Sequence, residues 1–265
     1  MKIAIFYSYN GSKFSGSQTQ PNGKAVEDSL NLALRKVGIF KPVLSSSRTD
    51  ALVHAFCQVS CTHCGDFWDL NKLKNELNRH LPFSIKVFKI LKVNEDFHPR
   101  YSAKARSYRY LLAHGKRNPF LADFVYFCAK PDIKKLNFAL SLFKGEHDFS
   151  GFYKLGSNEK SPVRRIFCAR ARQFYFNDEC FSMIIFKANG FLRSQVRMMV
   201  ANALCAANDE QKLRDLEKIL NFSNTEFFKK FSEDKNEFYK NEFYKKIPTK
   251  IPAPPQALYL KKIFY

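Results

Sequence analysis

Acidic side chains are scarce in this chain. Asp and Glu number 24 against 44 Lys and Arg in 265 residues, a formal net charge of +20 at pH 7. Such an excess attracts polyanions over long range, nucleic acids foremost. It can also arise from coding bias, since Phe is abundant at 28 beside many Lys and Asn. Long apolar runs are missing too: none approaches the ~18 residues needed to cross a bilayer. Ile3-Ala4-Ile5-Phe6-Tyr7 is too short for a signal-peptide core, and no small-residue cleavage site follows it. The seven cysteines are odd in number and scattered, which argues against a disulfide framework and for a reducing cytoplasm. There is no glycine-rich phosphate loop, no nucleotide fingerprint and no second Cys-x-x-Cys. Cys57, Cys61, His63 and Cys64 are zinc-ligand types. They lie on a predicted strand and its end, where alternation sends Cys61 and Cys64 to opposite faces. Buried or incidental thiols are therefore expected, with no metal.

What is present describes a globular α+β protein. Hydrophobic residues make up 45% of the chain, enough for a substantial core. Ile3 to Tyr7 reads as a buried strand and Asn10-Gly11-Ser12 as a turn. Val26, Leu30, Leu34 and Val37 recur at helical spacing, closed by Gly38. Two short strands flank residue 50, the second from about Val53 to Ser60. Asp69 caps a helix with Leu70, Leu73 and Leu77 on one face, and Ile85 to Ile90 is another strand. The first ~95 residues thus run β-α-β-β-α-β, the order of a split βαβ, ferredoxin-like unit.

The second half repeats the rhythm. Strands are expected at Ser107–Leu112 and Val125–Cys128, then an Asp132-capped helix carrying Leu136, Leu140 and Phe143. A hairpin follows around Asn177-Asp178, then a helix from about Leu192 to Ala206 and a closing strand near Ala257–Leu260. The expectation is two halves, 1–103 and 104–265, each a mainly antiparallel sheet with helices on one side, whose inner sheet faces could make a cleft between them. The pentapeptide Asn236-Glu237-Phe238-Tyr239-Lys240 is repeated at once as 241–245, a local duplication in a surface segment.

Three blocks could carry chemistry. Ser47-Arg48-Thr49-Asp50, with Val53-His54-Ala55 close behind, sets a single carboxylate in a turn between apolar runs. Phe97 through Tyr110 interleaves four cations with three tyrosines, and such residues can hold phosphates and stack on an unpaired base. In Phe191 to Val200, Arg193 and Arg197 are expected on one helix face, with Val196, Met199, Val200 and Ala203 as the packing stripe. Taken singly, each block also fits a structural role: snorkelling arginines, or tyrosines packed on an edge strand.

Together, in this order, they resemble the TruA family of tRNA pseudouridine synthases along nearly the whole chain. The matching residues are Tyr9-Asn10-Gly11-Ser12-Lys13-Phe14 with Gly16 and Gln18; Arg48-Thr49-Asp50 with Val53-His54; Phe97-His98 through Tyr110; Phe191 with Val196-Arg197; and Leu258-Tyr259-Leu260. The resemblance implies a homodimer without metal or organic cofactor. It also implies isomerisation of uridine to pseudouridine in the anticodon arm of tRNA, at positions 38 to 40. By that match Asp50, Tyr108 and Arg197 are the catalytic residues, Arg197 being the candidate cationic partner of Asp50. Arg48 would fill the gap left by a flipped base, and Leu258 would wall the pocket. Lys104, Arg106, Arg109, Arg164 and Arg165 would contact phosphates. His54 matches the motif but fits a structural role better.

The chain departs from the family beside the aspartate. Ser47 and Leu52 stand where glycines are usual, Ser17 where tryptophan is usual, and Asn10 where aspartate is usual. These losses keep a second expectation open: a non-catalytic tRNA-binding module or folding helper on the same scaffold.

Overall fold

Strand β1 (Lys2–Tyr9) forms because Ile3, Ile5, Tyr7 and Tyr9 alternate onto one buried face. In the computed structural model, which describes residues 1–154, 161–222 and 247–265, it is the middle strand of the first of two units. That unit comprises Met1–Ser107, Pro119–Phe124 and Pro255–Tyr265; the second comprises Tyr108–Asn118 and Val125–Pro254. The tandem pentapeptide at 236–245 lies outside the described residues. The fold is mixed α+β with mainly antiparallel strands.

In the first unit, β1 lies between β4 (Ile85–Lys92) and β3 (His54–His63), antiparallel to both. The other edge of β3 has two partners. Near its end, β2 (Leu44–Ser45) pairs antiparallel, Leu44 opposite Cys61; near its start, β10 (Leu258–Phe264) pairs parallel, Tyr259 opposite His54. Helix α1 (Val26–Lys36) buries Val26, Leu30, Ala33 and Leu34. It ends at Gly38, whose φ of 77° lets Ile39 N–H reach back to Leu34 O and Gly38 N–H to Arg35 O. Helix α2 (Leu70–His80) starts where the Asp69 carboxylate accepts from Lys72 N at 2.8 Å. The Asn78 amide then fastens it to β4 by bonding both N–H and C=O of Val87.

Strand β5 (Ala105–Ala113) carries the chain into the second unit. There the strand order is β5, β9 (Glu179–Ala188), β8 (Val163–Phe176) and β7 (Gly145–Asp148), with β6 (Tyr126–Phe127) beside β5. The expected hairpin is present: Asn177 and Asp178 both take positive φ, 46° and 59°, as a tight two-residue turn requires. Helix α3 (Ile133–Ser141) is capped by Asp132 and held to β8 by Asn137, which bonds both backbone groups of Ala171. Helices α4 (Gln195–Asn208) and α5 (Glu210–Phe222) pack against each other, and both touch α3.

The structure corrects two sequence expectations here and adds two elements. Helix α4 begins at Gln195, not Leu192, because Ser194 adopts φ 58° and the Gln195 amide oxygen accepts from Leu192 N. Arg193 therefore sits exposed in the turn before the helix and shares no face with Arg197. Helix α5 and strand β7 were not anticipated.

Candidate active site

Asp50 lies in the segment joining β2 to β3, and several backbone groups on either side of it have fixed partners. Ser46 N donates to Val59 O at 2.9 Å, and the buried Gln58 amide donates to Ser47 O at 2.7 Å. Thr49 exchanges two bonds with Ser17: its N–H reaches Ser17 Oγ at 2.8 Å and its C=O accepts from Ser17 N at 3.1 Å. The Thr49 hydroxyl lies 2.7 Å from Tyr9 OH. Gly16 (φ 119°) brings its backbone against Thr49 O, where a side chain would crowd. The segment is thus pinned from β1, from residues 16–17 and from β3, while Arg48 is exposed and Asp50 half-buried. Pinning the backbone presents the carboxylate in one place.

The turn after Asp50 carries strain. Val53 N–H reaches back to Asp50 O at 3.3 Å, and Leu52 at the turn's third residue has φ 68°. That position of a type II turn calls for glycine. A branched side chain there costs about 1–2 kcal/mol. Leu52 is 39% exposed, so little packing repays the cost. Leu52→Gly is expected to raise stability by about 1 kcal/mol, read as a higher urea midpoint at unchanged slope.

His54, the first residue of β3, joins three distant segments. Its ring stacks between Phe124 and Tyr259, with centroids 5.4 and 4.7 Å away. Nδ1 accepts from Gly11 N at 3.0 Å, while Nε2 lies 2.9 Å from both Asp123 O and Gln256 O. This network assigns the proton to Nε2. A cationic ring would turn Nδ1–H against Gly11 N–H, so His54 is a structural joint that works as the neutral form. Burial holds its pKa below the ordinary 6.5, the two carbonyls opposing weakly. A depressed folded-state value makes the contribution complete above about pH 6.5 and lost as pH falls through the folded value. The urea midpoint should therefore drop on acidification below about pH 6.5, and more steeply than in His54→Phe, which keeps the stack without the titration.

Leu258, at the start of β10, is 6% exposed. Lys104 is exposed, and its backbone N–H donates to Phe264 O at 2.8 Å. Arg106 turns inward. Nε lies 3.1 Å from Ser47 Oγ, and Nη2 lies 3.2 Å from Ser46 O and 2.8 Å from Arg100 O.

The second unit holds the other candidates. Tyr108 is buried on β5 with its ring edge-to-face against Phe191, centroids 5.2 Å apart. Arg197 Nε donates to Ala253 O at 2.7 Å, and Ala253 N donates to Arg197 O at 3.1 Å, fixing that arginine on the first turn of α4. Tyr110 reaches the same segment through Pro254 O at 2.8 Å; burial raises its pKa strongly, with the Arg197 charge opposing. Arg109 is half-buried and Arg165 exposed, while Arg164 Nη1 donates to Ser161 O and Val163 O, each at 2.7 Å. Among the described residues no group of three or more His, Cys, Asp or Glu could hold a metal ion. Burial pushes the thiols of Cys57, Cys61 and Cys64 upward, and His63 pairs with Glu95 at 2.9 Å.

A family model described as tRNA pseudouridine synthase matches residues 139–243. Over 266 aligned residues, all of both chains, the sequence is 40% identical to tRNA pseudouridine synthase A of Campylobacter jejuni subsp. jejuni. The chain belongs to the tRNA pseudouridine synthase A family. A namesake in Lactococcus lactis subsp. lactis is 34% identical over 97% of this chain and 94% of its own. Another, in Limosilactobacillus reuteri, is 35% identical over 83% of this chain and 87% of its own.

Within this member of the family, the unusual residues of the Asp50 segment have definite places. Ser17 and Ser47 are hydrogen-bonded into the segment, and Leu52 takes the backbone angle that a glycine would adopt freely. Sequence reasoning missed Gln58 and Arg106 as supports of the Asp50 segment. Polar residues buried in an apolar alternation were the available signal for Gln58; for Arg106 there was none.

Proposed function

We propose that this chain isomerises uridine to pseudouridine in the anticodon stem-loop of tRNA, at positions 38 to 40, with Asp50 as the catalytic carboxylate. The observation that carries this is the pinned Asp50 segment, in a chain that matches named synthases along its whole length. The N1–C1′ glycosidic bond breaks, the base turns, and a C5–C1′ bond forms. The C5 proton leaves to solvent and N1 regains one, so no redox partner is required. Three routes remain for the carboxylate: addition to the sugar, addition to the base, or removal of a ribose proton to give a glycal.

The other roles follow the residues' chemistry. Exposed Arg48 fills the space vacated when the target base leaves its stack. Tyr108 stacks on the flipped base and assists loss of the C5 proton, Arg197 supplies the cation that favours the carboxylate anion, and Leu258 is the apolar wall. Lys104, Arg109, Arg164 and Arg165 take phosphates, in keeping with the basic chain. We read the enzyme as a cytoplasmic homodimer. The β1-α1-β2-β3-α2-β4 order, with β1 between β4 and β3, supports a ferredoxin-like reading of the first unit.

The test is tritium release from anticodon stem-loop RNA labelled at uridine C5, with RNA binding measured in parallel. Release by the wild-type protein is expected. Tight binding without release would instead identify a binding module.

A further inference from the structure

An arginine that serves RNA phosphates has to aim its N–H groups outward. Arg106 aims them into its own protein. Its Nε and Nη2 reach acceptors on Ser47, Ser46 and Arg100, and the two serines are only 7% and 2% exposed. We propose that Arg106 and Ser47 form a positioning clamp for the Asp50 segment, so that Arg106 acts on catalysis through the loop and not through phosphate. The proposal rests on the reading of Asp50 as the catalytic carboxylate.

Geometry favours a clamp. A guanidinium is a planar fork, and two of its nitrogens grip consecutive residues, one through the Ser47 hydroxyl and one through the Ser46 carbonyl. A second Nη2 contact ties the same fork to Arg100 O, in the segment leading to β5. That segment is itself anchored: Tyr265 OH donates to Pro99 O at 2.9 Å, and Lys104 N donates to Phe264 O at 2.8 Å. The clamp therefore links the Asp50 segment to β10 and the root of β5. It adds a hold on the Ser47 hydroxyl, three residues before Asp50, to the one Gln58 already places on the Ser47 carbonyl. Glycine at 47 would leave Nε without this acceptor. A lysine at 106 would keep the charge but could not span both acceptors.

The experiment follows kcat and KM for tritium release, and the salt dependence of RNA affinity, in Ser47→Ala, Arg106→Lys, Arg106→Gln and the double variant Ser47→Ala/Arg106→Lys. A clamp predicts that Arg106→Lys and Arg106→Gln each lower kcat about tenfold or more, as sub-ångström misplacement of a catalytic group does. KM should stay within about twofold and the salt slope unchanged. Ser47→Ala should lower kcat about threefold, and adding it to Arg106→Lys should cost nothing further, since both cut one contact. A wild-type-like Arg106→Lys, with Arg106→Gln raising KM and flattening the slope by about 0.7 per lost phosphate, would make Arg106 a phosphate ligand and overturn the clamp. Unchanged kcat in Ser47→Ala and both Arg106 variants would overturn it too. Ser47→Ala removes one hydroxyl and cannot unfold the protein, so its kcat decides if the arginine variants fold poorly. Asp50→Asn separates the two layers. If it turns over, the carboxylate reading fails; if it is inactive while the clamp variants are normal, only the clamp fails.

Discussion

Asp50→Asn should abolish tritium release, lowering kcat by about 10³-fold or more, while RNA affinity stays within a few-fold. The substitution is nearly isosteric. The amide retains hydrogen bonding but can neither carry the negative charge nor add covalently as a carboxylate does. The fold should not notice. Asp50 is half-buried in a turn, and the bond that closes the turn runs from Val53 N to the Asp50 backbone carbonyl, which asparagine keeps. A melting temperature within a degree or two of wild type would accompany the loss. Turnover at the wild-type rate would remove Asp50 from the chemistry altogether.

Gly11→Ala should cost more stability than alanine at any other glycine of the first unit. A β-carbon there would lie 2.0 Å from Val53 O, 2.5 Å from Val53 C and 2.9 Å from Leu52 C. All three are backbone atoms, so no rotamer change relieves the clash. Either residues 10–13 or residues 52–53 must move. Both movements damage the same joint, because Gly11 N–H is the donor to His54 Nδ1 at 3.0 Å. Overpacking plus a broken buried hydrogen bond sums to about 3 kcal/mol or more. Residues 52–53 close the turn that opens at Asp50, so where they give way kcat should fall with stability. A urea melt and the release assay on one preparation would check both, and an unshifted midpoint would contradict the close approach seen here.

The elements that local chemistry dictates were legible in the sequence. Alternating Ile3, Ile5 and Tyr7, the Asp69 and Asp132 caps, the Gly38 stop and the Asn177-Asp178 turn all report on neighbours within a few residues. Strand β7 was illegible because Gly145-Glu146-His147-Asp148 contains no strand former and is held only by pairing with β8. Helix α5 carries Leu216, Ile219 and Leu220 at helical spacing, but in a stretch so charged that the pattern is faint. The start of α4 depended on Ser194 adopting a left-handed angle that serine seldom takes. Around the candidate Asp50, the flanking motif is visible in the sequence, whereas the side chains that hold the segment are not. Arg106 meets Ser47 across 59 residues, and His54 meets Gln256 across 202. Contacts so distant depend on which strands become neighbours in the sheet, which no local pattern encodes.

The seat of β10 has a consequence for how the protein is born. The strand that flanks His54, β10, begins about 195 residues after the end of β3. At roughly 5–20 residues per second, a ribosome needs on the order of ten seconds or more to deliver it once β3 has emerged. During that interval the first unit has its helices and inner strands but not Tyr259, Gln256 or Phe264, and so lacks the Tyr259 side of the His54 stack and the anchor of Lys104. The nascent first unit therefore has its Asp50 segment pinned by β1, residues 16–17 and β3 well before β10 arrives to complete the packing around His54.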